Sequence, residues 1–237
     1  MTSLTSHVIH LNNMAAKELA NGRYPEAHLL QRSSLMKLEE LYHAREESGT
    51  TLPAANTSAA DKRMGENPRR QQSRSLETCS SQEFASLRDL DQECCGVFRR
   101  SILLPEDEEN LSVLTAVVLF NLALCEHVMG LLNGITRHLH AALKMYRLSY
   151  QIIQDNRDSV SFCDLLVLAV INNIAECASQ NMEAMMAKQW FDFLGRILGV
   201  DRPEIQNMTT LGEKDYSFFF TNAVVQHGSV LLSAPAA

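Results

Sequence analysis

Residues 111–153 read LSVLTAVVLFNLALCEHVMGLLNGITRHLHAALKMYRLSYQII. The first half is apolar on most sides, which is typical of a helix buried between neighbouring helices. The second half has one apolar stripe at steps of three, four or seven residues, formed by Ile135, Leu139, Ala142, Tyr146 and Ile153. Gly130 lies between the two halves. The segment predicts a helical hairpin that turns at Gly130 and packs on other hairpins, because it cannot cover its own apolar surface.

Comparable helix pairs are predicted on both sides of this hairpin. Residues 8–20 and 24–47 have helical periodicity, and Asn21-Gly22 between them is a common helix end. Residues 165–179 and 182–197 give a third pair, which ends at Gly199. The pattern therefore predicts three hairpins.

Three further segments differ in composition from the predicted helices. Residues 48–78 contain few large apolar side chains, so they are predicted to be a disordered insertion. In it, Arg70-Gln71-Gln72-Ser73 resembles a target of basophilic kinases, and a solvated linker is the simpler interpretation. Residues 97–104 and 216–232 are β-prone, which predicts two strands that pair as a small β element near the end of the stack.

These patterns predict a mainly α protein with an α-α superhelix of hairpins. Residues 1–47 form the first hairpin and residues 48–78 the insertion. Residues 79–237 hold the remaining hairpins and a C-terminal cap, and pack with residues 1–47 as one domain.

The charge and the cysteines narrow the class of partner and the compartment. A formal net charge of −7 argues against nucleic acid or an anionic membrane as the main partner. The six cysteines have no C-x-x-C spacing, and three of them lie in apolar helical segments, as reduced core residues do. The N-terminus lacks the blocks of a signal peptide, and the apolar run 111–125 is predicted to be too short and too polar to span a bilayer. These observations predict an intracellular, cytoplasmic protein.

No pattern in the sequence predicts catalysis, a cofactor or a metal site. A nucleophile elbow, a phosphate-binding glycine loop and a paired-carboxylate motif are all missing from the sequence. Cys125 and His127, like His138 and His140, are two residues apart and would point in different directions on a helix. The sequence therefore predicts neither an enzyme nor a metalloprotein.

One pentapeptide recurs in the first helix of each predicted hairpin. Its pattern is apolar, variable, Asn, apolar, Ala, and it occurs at residues 11–15, 119–123 and 171–175. A small alanine lets two helices approach each other, and a buried asparagine requires a hydrogen-bond partner on a neighbouring backbone or helix. The repetition predicts that Asn13, Asn121 and Asn173 occupy equivalent places.

The first hairpin resembles the tetratricopeptide repeat family. The residues that carry the resemblance are Asn13-Met14-Ala15, Gly22-Arg23-Tyr24-Pro25-Glu26-Ala27 and Ser34-Leu35. The second unit matches at Asn121-Leu122-Ala123, Gly130 and Ala142-Leu143, and the third at Asn173-Ile174-Ala175 and Ala187. No unit has the closing proline, and the units are spaced more widely than the usual repeat of about 34 residues. The resemblance therefore implies a divergent, lengthened stack.

The resemblance also implies a concave groove, lined by the first helix of each unit, that holds an extended peptide or a partner helix. The groove positions it implies are Asn12, Ala16, Leu19, Phe120, Leu124, His127, Asn172, Glu176 and Ser179. Packing against the next helix explains each of them equally well. Asn12 and Ala16 replace the lysine and asparagine that grip a carboxylate in chaperone-binding members, which argues against that partner.

These inferences lead to one functional hypothesis and two alternatives. The hypothesis is a scaffold that binds a protein or peptide in the groove. The alternatives are a self-associating structural protein, which would form a homo-oligomer, and a helical domain that binds or transforms a small molecule.

Overall fold

A computed structural model describes residues 2–47, 96–158, 160, 162–199 and 211–232. The described residues form mainly α-helices, and residues 96–110 form a non-helical stretch that leads into the helix beginning at Leu111. The helices are α1 Thr2–Ala20, α2 Tyr24–Glu47, α3 Leu111–Asn133, α4 Thr136–Asn156, α5 Asp164–Gln180, α6 Ala184–Ile197 and α7 Glu213–Leu232. The predicted mainly α fold is confirmed. The predicted insertion 48–78 lies outside the described residues.

The helices pack as successive hairpins in chain order. Within each hairpin α1 packs on α2, α3 on α4 and α5 on α6, while α2 contacts α3, α4 contacts α5 and α6 contacts α7. The first helices also contact one another, α1 with α3 and α3 with α5, and α5 contacts α7. This is the packing pattern of a helical repeat, with α1, α3, α5 and α7 forming one layer.

Helix α3 is at the centre because its side chains are apolar on nearly all sides. Leu114, Phe120 and Leu124 of α3 are fully buried, together with Tyr146 of α4 and Ile174 of α5. They belong to one apolar core that includes residues from every helix. Burial of each such side chain stabilises the fold by about 1.5–3 kcal/mol.

The apolar run 111–125 is predicted to be too short and too polar to span a membrane, but helix α3, which contains it, is longer. By length and composition Leu111–Asn133 could cross a bilayer, but 89% of its most apolar window is buried inside the fold. The core helix of a soluble protein has the same properties.

The turn of the central hairpin lies one helical turn beyond the predicted position. Gly130 is inside α3, which ends at Asn133 and is capped by Gly134 with a φ of +63°. A β-carbon at Gly130 would lie 2.8 Å from Cδ2 of Leu139 on α4. The prediction that Gly130 forms the turn is therefore wrong: this glycine permits the close approach of two helices.

The first and third hairpins turn at equivalent positions, which are occupied by a glycine in one and a methionine in the other. Gly22 has a φ of +73°, and Met182, at the corresponding place in the third hairpin, has a φ of +61° and is 90% exposed. A residue with a β-carbon is strained by about 1–2 kcal/mol in this left-handed region.

Replacing Met182 with glycine is expected to raise the free energy of unfolding by about 1 kcal/mol, because it removes this strain and no buried contact. Urea denaturation followed by circular dichroism measures the change. Gly22→Ala is the matched reverse variant: nothing lies within 4 Å of a β-carbon there, so it should destabilise by about the same amount through φ alone. Equal or lower stability of the Met182→Gly protein would contradict the expectation.

Both strand predictions fail among the described residues. Residues 216–232 lie in helix α7, whose buried face carries Phe219, Asn222 and Ala223 at helical spacing. Packing of this face overrides the β propensity of the sequence. Residues 97–104 form no strand apart from an isolated β-bridge at Ile102. The main-chain amides of Phe98, Ile102 and Leu104 bond to side chains instead.

Candidate functional site

The repeated asparagines all bond to one extended stretch of the same chain. This stretch, residues 96–104, is called the inner segment below. Asn13 of α1, Asn121 of α3 and Asn173 of α5 each contact it from the first helix of a different hairpin. The prediction that these asparagines take equivalent places and bond to a neighbouring backbone is confirmed.

Each asparagine binds the amide and the carbonyl of a single residue. Oδ1 of Asn13 accepts from the Leu104 amide at 2.8 Å, and Nδ2 donates to the Leu104 carbonyl at 2.8 Å. The corresponding distances are 2.9 and 2.8 Å between Asn121 and Ile102. They are 2.8 and 2.9 Å between Asn173 and Phe98.

A side-chain amide thus makes the two bonds that an adjacent β-strand would make. These three pairs of bonds, called the asparagine clamps below, satisfy buried polar groups of the main chain. The inner segment consequently runs from the third hairpin to the first, opposite to the order of the hairpins.

A second set of buried amides holds the clamps in place. Oδ1 of Asn12 accepts from Asn121 at 2.9 Å and from Gln31 at 3.1 Å. At the other end, Nδ2 of Asn172 and of Asn222 donate to the Gly96 carbonyl at 2.8 and 2.7 Å. Such a connected network fixes the orientation of each amide. Sequence reasoning missed Gln31 and Asn222, since neither belongs to the repeated pentapeptide.

A chain of polar contacts extends from the clamp at Asn173 through Tyr146 and His127. Nδ2 of Asn173 lies 3.1 Å from the Tyr146 hydroxyl, which lies 3.5 Å from Nδ1 of His127. Nε2 of His127 lies 2.6 Å from Oε1 of Gln180. Burial lowers the pKa of His127 to about 4, so this ring is neutral at neutral pH.

The side chains of the inner segment are also held by the helices. Phe98, Ile102 and Leu104 are buried, and Phe98 stacks on Phe219 of α7 with ring centroids 5.1 Å apart. The hydroxyl of Ser101 donates to the Ala16 carbonyl at 3.1 Å.

Charged side chains of the helices also contact the inner segment. The guanidinium of Arg100 pairs with Asp215 of α7 and lies 4.9 Å from the centroid of the Phe98 ring. The carboxylate of Glu176 lies against Gly96, where a β-carbon would overlap it. Burial raises the pKa of Glu176 to about 7.

The described cysteines and His127, His138 and His140 bond to neighbouring side chains and main-chain groups or are buried among them. Cys125, Cys163 and Cys177 are buried thiols, as predicted, while Cys79, Cys94 and Cys95 lie outside the described residues. Burial raises the pKa of Cys177 to about 12, so this thiol is protonated and unreactive. Nδ1 of His138 lies 2.5 Å from Glu126, and Nδ1 of His140 bonds to the Thr136 carbonyl. No cluster of three or more His, Cys, Asp or Glu side chains suited to a metal ion occurs among the described residues.

The predicted groove positions lie on the helices that surround the inner segment. Asn12, Ala16, Asn172 and Glu176 contact it. The others are Leu19, Phe120, Leu124 and His127, which are buried, and Ser179, which is exposed. Four of the nine predicted groove positions therefore contact the chain's own inner segment.

No relative was found for this chain. No family model, curated protein or solved structure matches it. The candidate function accordingly depends on the geometry of the site.

Proposed function

We propose that this protein is an interaction scaffold with a divergent tetratricopeptide-like stack, and that α1, α3 and α5 hold an extended peptide between them. The observation that carries the proposal is the set of three asparagine clamps. They hold residues 98, 102 and 104 of an extended main chain. In this proposal the inner segment is an internal occupant that an external peptide replaces.

The clamps recognise a peptide main chain and not a particular sequence. Every bond from Asn13, Asn121 and Asn173 to the segment ends on a backbone amide or carbonyl. Main-chain bonds of this kind supply affinity in peptide recognition, and side-chain sites between them supply specificity. Here the side-chain sites surround Phe98, Ile102 and Leu104.

An external peptide would have to compete with the inner segment for the asparagine clamps. The inner segment is joined to α3 by the short connection 105–110. A short tether gives an effective concentration on the order of millimolar. An external peptide with the same sequence must therefore reach about this millimolar concentration to replace half of the inner segment.

A peptide with the sequence of residues 96–104 tests the proposal on the full, unmodified chain. We expect saturating peptide to bind and to accelerate hydrogen exchange at the amides of Phe98, Ile102 and Leu104 by about tenfold or more, because the replaced segment loses its clamps. Exchange at Leu114, in the buried helix α3, is the internal reference and should stay unchanged. Fluorescence anisotropy of the labelled peptide measures the affinity.

The matched control is the same peptide with N-methyl groups at the three clamped residues. It keeps every side chain but cannot donate to the asparagines, so its affinity should fall about 10- to 100-fold. Unchanged exchange and no binding by the unmodified peptide at millimolar concentration would contradict the proposal. The inner segment would then be a permanent part of the core.

Self-association is the second candidate, and one observation favours it. Helix α7, the last described helix, exposes Val224 and Val225, whose side chains would be covered by a further helix or by another copy. Light scattering over a hundredfold range of concentration tests this candidate. A constant monomer mass would dismiss it.

A further inference from the structure

We propose that Glu176 selects the external peptide by pairing with a lysine or arginine at the position that Gly96 takes in the inner segment. This inference rests on the proposed peptide-binding function. It defines the partner as an extended peptide with a basic residue two positions before the residue that Asn173 clamps.

The first observation is that Glu176 differs from the other polar groups around the segment. Asp215 pairs with Arg100, and Asn172 and Asn222 share the Gly96 carbonyl. In contrast, Oε1 of Glu176 is buried and accepts no hydrogen bond from the described residues. The residue is only 6% exposed, so bulk solvent does not surround this carboxylate.

The second observation is the direction in which this carboxylate points. A β-carbon built on Gly96 would overlap Oε1 and Cδ of Glu176. The carboxylate therefore fills the space in which a side chain at position 96 would begin. Because it is the end of a flexible side chain, it can turn aside and contact the cationic end of a long side chain there.

The energetic reason for a basic residue follows from burial. An ionised carboxylate that is buried without a cation or donor is unfavourable, and a paired one is much less so. Glycine supplies no side chain, so the inner segment leaves this group without a cation at position 96. An external peptide with a basic residue would gain a contact that the inner segment lacks, which lets it compete with a tethered occupant.

The test compares three N-acetylated, labelled peptides of residues 96–104 on the full chain at pH 8, where Glu176 is mostly ionised. Acetylation removes the terminal ammonium, which would otherwise place a cation at position 96 in every peptide. The first carries Gly96→Lys, the second has norleucine at that position, and the third carries Gly96→Glu. Norleucine has the length of lysine without its charge. We expect the lysine peptide to bind about 10- to 100-fold more tightly than the norleucine peptide, and the glutamate peptide to bind more weakly than both.

Two protein variants separate this role from general charge attraction. In Glu176→Gln the lysine and norleucine peptides should bind equally. In Asp215→Asn both should bind more weakly, because the pair with Arg100 is lost, but the ratio between them should persist.

Equal affinity of the three peptides for the unmodified chain would overturn the inference and leave the proposed function intact. A preference for lysine that survives in Glu176→Gln would also overturn it. If none of the peptides binds, the proposed peptide-binding function is contradicted, and the inference about Glu176 is contradicted with it.

Discussion

The Asn173→Leu protein is expected to lose about 3–6 kcal/mol of its free energy of unfolding. Leucine has a similar volume but cannot bond to the Phe98 amide and carbonyl, which lie 2.8 and 2.9 Å from the asparagine side chain. Each buried backbone group left without a partner costs about 1–3 kcal/mol. The Tyr146 hydroxyl loses a partner as well.

Urea denaturation followed by circular dichroism measures this loss. Asn133→Ala is the control, because Asn133 is exposed and its side chain donates to the Met129 carbonyl of its own helix. That variant should change stability by about 0.5 kcal/mol or less. A loss below about 1 kcal/mol for Asn173→Leu would mean that the clamp contributes little to holding the inner segment.

The second large effect is expected from Glu176→Gln, and it depends on pH. Burial raises the pKa of Glu176 from 4.5 to about 7 in the folded protein. Between these values the unfolded chain releases a proton that the folded chain keeps. The stability that Glu176 contributes is therefore complete below about pH 4.5 and is lost as the pH rises through 7.

The size of this loss is about 3 kcal/mol, from about 1.4 kcal/mol for each pH unit between the two pKa values. Glutamine cannot ionise, so the variant should be about 2–3 kcal/mol more stable than the unmodified protein at pH 8 and about equal to it at pH 4.5. Denaturation midpoints from pH 4.5 to 8 measure the difference.

Taking the difference between the two proteins removes the contribution of His127, which titrates in both. Glu39→Gln, on the exposed side of α2, should follow the unmodified protein. A constant difference between the Glu176→Gln protein and the unmodified one over this range would contradict the assignment.

The sequence predicted the hairpins and the clamping residues well because both leave local patterns. The helical periodicity of residues 111–153 arises from burial on one side of a helix, and it can be detected without knowledge of the neighbours. The asparagines could be found because the same pentapeptide occurs in each first helix. What they bond to could not be found, since the inner segment lies about 90 residues from Asn13 in the chain.

The errors arose where tertiary packing decides between local alternatives. Residues 216–232 are β-prone, but a face with Phe219 and Ala223 buries more apolar surface as a helix. Gly130 is a glycine between two apolar segments, which predicts a turn. In the structure its missing side chain leaves room for Leu139 of α4.

The inner segment also bears on how the chain folds and unfolds. A linear array of hairpins has contacts only between neighbours, so it can lose its terminal hairpin while the remainder persists. Here bonds across 91 and 75 residues join both ends of the array to one strip of main chain. Loss of either terminal hairpin would expose part of that strip, so the array should melt in a single cooperative step. Its folding should be slow for a helical protein, because contacts between such distant residues form late.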